Sequence, residues 1–244
     1  MTEPFLTIVV PAFNESSRLR SSLGNIRSYV ESKPFSLEVI VVDDGSSDRT
    51  RDLLAEFGKH FPALRVLLNE QNHGKGYTVR RGVLEARGEI VAFADADLSA
   101  PVEDVDQLLL ALESSGADAA VGSRVLKREL VGVHQPWFRE LGGRLFNLLV
   151  RLLTGLKLRD TQCGLKLFRR STTRRAFELQ RVEGFGFDPE LLFLIERLGG
   201  KVVEVPVHWN DDPATKVHFL RDATRMALEL VQLRCRWALG KYRN

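Results

Sequence analysis

Short apolar runs separated by polar, glycine-bearing loops organise the first half of the chain. Residues 6–10, 38–42, 63–68 and 89–94 are rich in Val, Ile and Leu and have the length of strands. Their continuous apolar character is that of strands covered on both faces. Residues 16–31, 47–61 and 76–86 carry helical periodicity, the second opening on Ser47-Asp48, a helix-capping pair. Strand, helix, strand at this spacing predicts right-handed βαβ units and a parallel sheet. Residues 118–122 read as a further strand, and residues 202–207 as a late one that Pro206 places at an edge.

The pattern changes after residue 124. Residues 138–156 set Arg139, Arg144 and Arg151 among Leu141, Leu145, Phe146, Leu148, Leu149, Leu152 and Leu153, and residues 219–241 form a second Arg-bearing amphipathic segment. Such a segment suits a protein that lies on a membrane surface, and it equally suits a helix packed on a sheet with its arginines outward. No run approaches the ~20 apolar residues of a membrane span. The start, Met1-Thr2-Glu3-Pro4, has neither the basic nor the apolar region of a signal peptide.

In open parallel sheets ligands bind beyond the carboxyl ends of the strands. Here those ends are Pro11-Ala12-Phe13-Asn14-Glu15, Asp43-Asp44-Gly45-Ser46, the glycine-rich stretch at residues 69–76, and Asp95-Ala96-Asp97. Four polar loops on one rim describe a nucleotide-sized crevice. Asp95 and Asp97 carry its sharpest chemistry. Side chains at i and i+2 share a face at a strand's end, and two carboxylates so placed repel unless a cation joins them. Mg²⁺ or Mn²⁺, held by carboxylates and by substrate phosphates, is the natural occupant; a loop-starting Asx pair is the bland alternative.

Charge sharpens this picture. The net charge of +3 over 244 residues hides 13 Lys/Arg against 4 Asp/Glu in residues 125–181, and 7 against 2 in residues 214–244. Basic surface suits phosphate-bearing ligands, anionic lipid or nucleic acid. Cys163 and Cys235 are too few and too far apart for a disulfide framework, which points to a reducing compartment. Nothing about Cys163 specifies a nucleophile's partner, so it reads as a packing residue.

Together, the runs from Ile8 to Glu15 and from Val41 to Thr50, Asn72-His73-Gly74-Lys75-Gly76 and Asp95-Ala96-Asp97 resemble the family 2 glycosyltransferases. Asp160-Thr161-Gln162-Cys163-Gly164-Leu165-Lys166-Leu167-Phe168 and Phe187-Asp188-Pro189-Glu190-Leu191-Leu192 look most like the polyprenyl-phosphate sugar transferases, in particular the dolichyl-phosphate glucosyltransferase branch, with the mannosyltransferases next. The resemblance covers nearly the whole chain. It implies the GT-A fold, a Rossmann-like, mostly parallel sheet flanked by helices, as one domain over residues 1–244: residues 1–124 bind the nucleotide sugar and residues 125–244 the acceptor.

Carried over, the resemblance has Pro11, Phe13 and Glu15 lining the nucleotide pocket and Asp43 on the base or ribose. Asp95, Ala96 and Asp97 would meet the metal and sugar-diphosphate, and Lys75 the same phosphates. Arg124 and Lys216 fall on the acceptor and phosphate side, and Asp188 is the candidate base. Ser99 departs from mannosyltransferases that carry Gln there as a metal ligand. The implied donor is UDP-glucose, with GDP-mannose second. A polyprenyl phosphate, already ionised at pH 7, needs basic residues and little or no base; a sugar or protein hydroxyl acceptor needs Asp188. The first acceptor implies a cytoplasmic protein peripheral to a membrane. A sugar-nucleotide nucleotidyltransferase would share the sheet, but no Arg- and Lys-bearing glycine loop follows the first strand. A nucleic-acid module would not need the Asp pair, so no nucleic-acid partner is expected; the oligomeric state is left open.

Overall fold

The computed structural model describes residues 3–133, 137–210 and 219–242. Its frame is a seven-stranded sheet in the order β3-β2-β1-β4-β7-β5-β8. The strands are β1 (Leu6–Ala12), β2 (Leu37–Asp43), β3 (Leu64–Leu68), β4 (Ile90–Ala94), β5 (Ala119–Ser123), β7 (Leu165–Arg169) and β8 (Val202–Pro206); β6 (Val131–Val133) pairs separately with β9 (Trp209–Asn210). The predicted strands are all present within a residue or two, and the one containing Pro206 lies at the edge. β7, which the apolar pattern does not predict, runs antiparallel between β4 and β5, whereas the other neighbours in the sheet are parallel.

Helices cover both faces. On one, α1 (Leu19–Glu31), α2 (Thr50–Gly58) and α4 (Val105–Ser115) pack Leu23, Ile26, Leu54 and Leu108 against Ile8, Val10 and Val41. On the other, α3 (Lys75–Glu85), α5 (Trp137–Thr154), α6 (Arg170–Leu179), α7 (Phe187–Arg197) and α8 (Phe219–Ala238) bury Val79, Val83, Phe177 and Leu191 against Val9, Ile40 and Phe93. Covering both faces is why β1, β2 and β4 read as largely apolar runs. The N-cap of α2 is Arg49 rather than Ser47 or Asp48, and it makes no side-chain cap; Asp48 stands just before it, where its Oδ1 accepts the Thr50 N–H at 3.0 Å. These hydrogen bonds, with those from Thr50 Oγ1 and Ser16, outweigh burial and hold its pKa down to about 2.

The amphipathic segments are α5 and α8, and they pack on each other. Besides its inward face, α5 presents Leu141, Leu145, Leu148 and Leu152 to solvent at helical spacing, and α8 presents Leu228 and Val231. Simple packing with arginines outward does not account for that second apolar stripe. No helix among the described residues is long and apolar enough to cross a membrane.

Candidate active site

Strand register brings the site together. Ala12 lies beside Asp43 across β1 and β2, so both loops leave the sheet at one level. The Asp44 N–H donates to the Ala12 carbonyl at 2.8 Å, and the Asn69 N–H donates to the Asp43 carbonyl at 2.8 Å. Asn14, at φ 53°, accepts from the Ser47 and Asp48 N–H groups. Pro11 is half-buried and Phe13 exposed on the first loop, where buried Glu15 pairs with Arg18.

Asp43 is fully buried. Its Oδ2 accepts from Arg51 Nε at 2.7 Å and the Ser46 N–H at 3.2 Å, whereas Oδ1 is buried with no hydrogen-bond partner among the described residues. Asp44 does different work: it accepts the His73 and Gly74 N–H groups at 3.0 and 2.8 Å and the Asn69 amide at 2.7 Å. It therefore pins the glycine-rich loop, a role its neighbour in sequence does not announce. Gly74 has φ 106°, and a Cβ there would meet the Glu183 carbonyl oxygen at 2.5 Å. Only glycine meets both demands.

At the end of β4 a tight turn closed by the Leu98 N–H on the Asp95 carbonyl presents Asp95 and Asp97. Ala96 is fixed through its carbonyl, which accepts from Ser22 Oγ at 2.6 Å. Asp97 accepts the Ser99 N–H at 3.0 Å and faces Arg18 at 3.7 Å. Burial, then the Asp95 charge, push the Asp97 carboxyl above its ordinary range. Lys75 Nζ stands 2.7 Å from Asp95 Oδ1. Burial alone would depress that ammonium, but Asp95 and Asp188 override it and raise its pKa. Behind Asp95 lies Gly164, where a Cβ would sit 2.1 Å from Asp95 Oδ2.

A second feature adjoins the first. A cavity of about 440 Å³ opens between β5, α5 and the loop at residues 159–162, lined by Arg124, Arg128, Arg144, Arg151 and Arg159 with Glu140 and Asp160. Arg124 grips Asp160 through Nε and Nη2 at 2.7 and 2.8 Å and lies over the Trp209 ring. Burial opposes both charges, yet their pairing raises the Arg124 pKa and lowers that of Asp160. Four donors on the wall, Asn147 Nδ2, Thr161 Oγ1, Gln162 Nε2 and Trp209 Nε1, are buried without a partner among the described residues. Asp95 and Asp97 are not part of this wall. The link is the chain itself: residues 159–162 line the cavity, and two residues on, the Gly164 carbonyl accepts the Asp95 N–H at 3.0 Å.

Asp188, in the first turn of α7, is 3% exposed and pairs with Lys166 Nζ at 2.7 Å. Burial raises its pKa against the pull of Lys166 and Lys75. Burial and Asp160 push the Cys163 thiol up to about 12, consistent with packing rather than nucleophilic use. Lys216 lies outside the described residues, as do His134 and His218. Among the described residues no group of three or more His, Cys, Asp or Glu is poised on a metal.

A sequence profile described as glycosyl transferase family 2 matches residues 7–177. The chain belongs to that family. Its relatives include dolichyl-phosphate beta-glucosyltransferases. It is 37% identical over 251 residues to the dolichyl-phosphate beta-glucosyltransferase of Drosophila melanogaster, covering 98% of this chain and 77% of that one. It is 34% identical over 248 residues to the enzyme of the same name from Dictyostelium discoideum, covering 97% and 76%. The GT-A architecture recurs in glucosyl-3-phosphoglycerate synthase from Mycobacterium tuberculosis, crystallised with Mn²⁺, UDP-glucose and glycerol 3-phosphate. That match has a TM-score of 0.66 and 21% identity, and covers 95% of this glycosyltransferase and 80% of the synthase.

Proposed function

We propose that this glycosyltransferase moves glucose, with inversion, from UDP-glucose to a polyprenyl phosphate of the dolichyl type at a membrane surface. The observation that carries this reading is the basic cavity beside Asp95. Five arginines against two carboxylates, with four unpartnered donors, form a receptor for an oxyanion rather than for a neutral hydroxyl. Leu148 on its wall belongs to the exposed leucine stripe of α5, so an apolar tail can leave the cavity along that stripe. A lipid phosphate satisfies both surfaces at once. The names of the curated relatives point the same way, and GDP-mannose is the second donor to test.

The donor belongs on the opposite side of Asp95. The orphan Asp43 Oδ1 suits an N–H of the base or a ribose hydroxyl, and Lys75, first residue of α3, would meet the diphosphate. Asp95 and Asp97 fit a hard divalent cation: both are oxygen donors at one strand end, and their mutual repulsion, visible at Asp97, is what a cation relieves. Mg²⁺ or Mn²⁺ there would neutralise the diphosphate as it leaves. An acceptor phosphate already ionised attacks the anomeric carbon without a base, which frees Asp188 from that task.

The decisive experiment pairs Arg151→Ala with Asn147→Ala and follows transfer from UDP-glucose to a short polyprenyl phosphate. The acceptor KM is expected to rise roughly 10- to 100-fold, the value of one or two charge-assisted hydrogen bonds, with donor KM unchanged. An unchanged acceptor KM would remove the cavity from the acceptor path. Asp43→Asn should do the converse. Donor KM is expected to rise about tenfold or more with kcat little altered, because a grip on base or ribose is equal in ground and transition states.

A further inference from the structure

β7 carries a lysine where a core strand has apolar residues. Leu165 and Leu167 enter one core and Phe168 the other, and Lys166, on the Phe168 face, is fully buried between Phe93 of β4 and Val121 of β5. Its Nζ meets Asp188 Oδ1 at 2.7 Å and donates to the Cys163 carbonyl. Burying such a pair gains little over apolar side chains of the same size, so its retention asks for a use.

That use lies beside the same ring. Lys166 Nζ is 5.5 Å and Lys75 Nζ 5.3 Å from the Phe93 centroid, and Asp188 is close enough for its charge to act on Lys75. Four charges thus alternate in sign, from Lys166 through Asp188 and Lys75 to Asp95. The backbone reinforces the series. The Gly76 and Tyr77 N–H groups donate to the Glu183 carbonyl at 2.7 and 3.2 Å, so the first turn of α3, which carries Lys75, is fastened to the segment that leads into Asp188. We propose that Lys166 and Asp188 are positioning residues: a buried ion pair that holds the Lys75 ammonium against Asp95, aimed at the leaving diphosphate. The proposal rests on the donor reading given above. Lys166 anchors Asp188, and Asp188 is the fixed counter-charge that remains when Lys75 turns from Asp95 to the incoming phosphates. Asp188 therefore touches no reacting atom.

A double-mutant cycle tests this. Asp188→Asn is expected to lower kcat 10- to 100-fold in the wild-type background, yet less than threefold when Lys75 is already Met, because its effect passes through Lys75. Equal losses in both backgrounds would overturn the proposal and return Asp188 to direct chemistry. Asp188→Asn leaves Lys166 unpaired, so Lys166→Met/Asp188→Leu is the companion, keeping the packing while removing both charges. That protein should melt within a few degrees of wild type and still show the depressed kcat; recovery of wild-type kcat along with the fold would make the pair merely structural and sink the idea. Wild-type enzyme that transfers glucose while the cycle is additive condemns the positioning pair alone. Wild-type enzyme inert toward every nucleotide sugar condemns the donor reading and this proposal with it.

Discussion

Asp97→Asn is expected to cut turnover by roughly 10³-fold, the several kcal/mol that a metal-borne positive charge supplies at a leaving group, and at the same time to make the protein more heat-stable near neutral pH. The second half follows from the site's electrostatics. Burial and Asp95 raise the Asp97 pKa in the folded protein. Between the ordinary carboxylate value and that raised one, the folded state binds more protons than the unfolded chain, so stability falls as pH rises through this window. Asparagine cannot ionise and escapes the penalty. Its advantage in Tm, measured with chelator present, should be absent in strong acid and complete above the raised value. An asparagine variant that keeps its kcat would take Asp97 out of the cation site.

Gly164→Ala is expected to be nearly as damaging to catalysis, with a loss of about 10²- to 10³-fold, the range for removing one preorganised charge-stabilising group. The added Cβ would stand 2.1 Å from Asp95 Oδ2 and 2.5 Å from its Cγ, so the carboxylate must swing and its contact with Lys75 is lost. The fold has less at stake, because the obstructing atoms belong to one partly exposed side chain rather than to the backbone. The check is kcat together with the Mn²⁺ dependence of activity: weakened metal dependence with a cooperative melt is the expected pair of results. Wild-type activity would mean that Asp95 tolerates displacement and that its present rotamer is not the working one.

Much of this was legible in the sequence because fully covered parallel strands and their terminal loops are local patterns. β1, β2 and β4 announce themselves by apolar runs, and Asp43, Asp95 and Asp97 by following them. What was not legible depends on pairing at long range. β7 is not announced because its apolar run is short and holds Lys166, and only its insertion between β4 and β5 makes that lysine buried. A lone charge between Leu165 and Leu167 was the available signal. The helices α4, α6 and α7 are missing from the sequence reading although α6 is as strongly amphipathic as α5. The arginine-lined cavity collects Arg124, Asn147, Gln162 and Trp209 from four separate segments, which no spacing rule connects. Asp188 shows the limit in reverse: its motif is conspicuous, but only its depth and its lysine partner reveal that it faces inward.

The antiparallel insertion of β7 also governs how the molecule can come into being. As the chain emerges from synthesis, β1 to β4 can assemble early, leaving β4 as a bare edge of unpaired peptide groups. β5 is made next, yet it has no place beside β4; it must wait some forty residues for β7 to enter between them. An apolar edge left open that long is a template for pairing with other chains. Residues 1–124 and 125–244 are thus not separate units of folding: a chain stopped at residue 124 would hold its Asp95-Ala96-Asp97 turn without Gly164 behind it, on the border of an unfinished sheet.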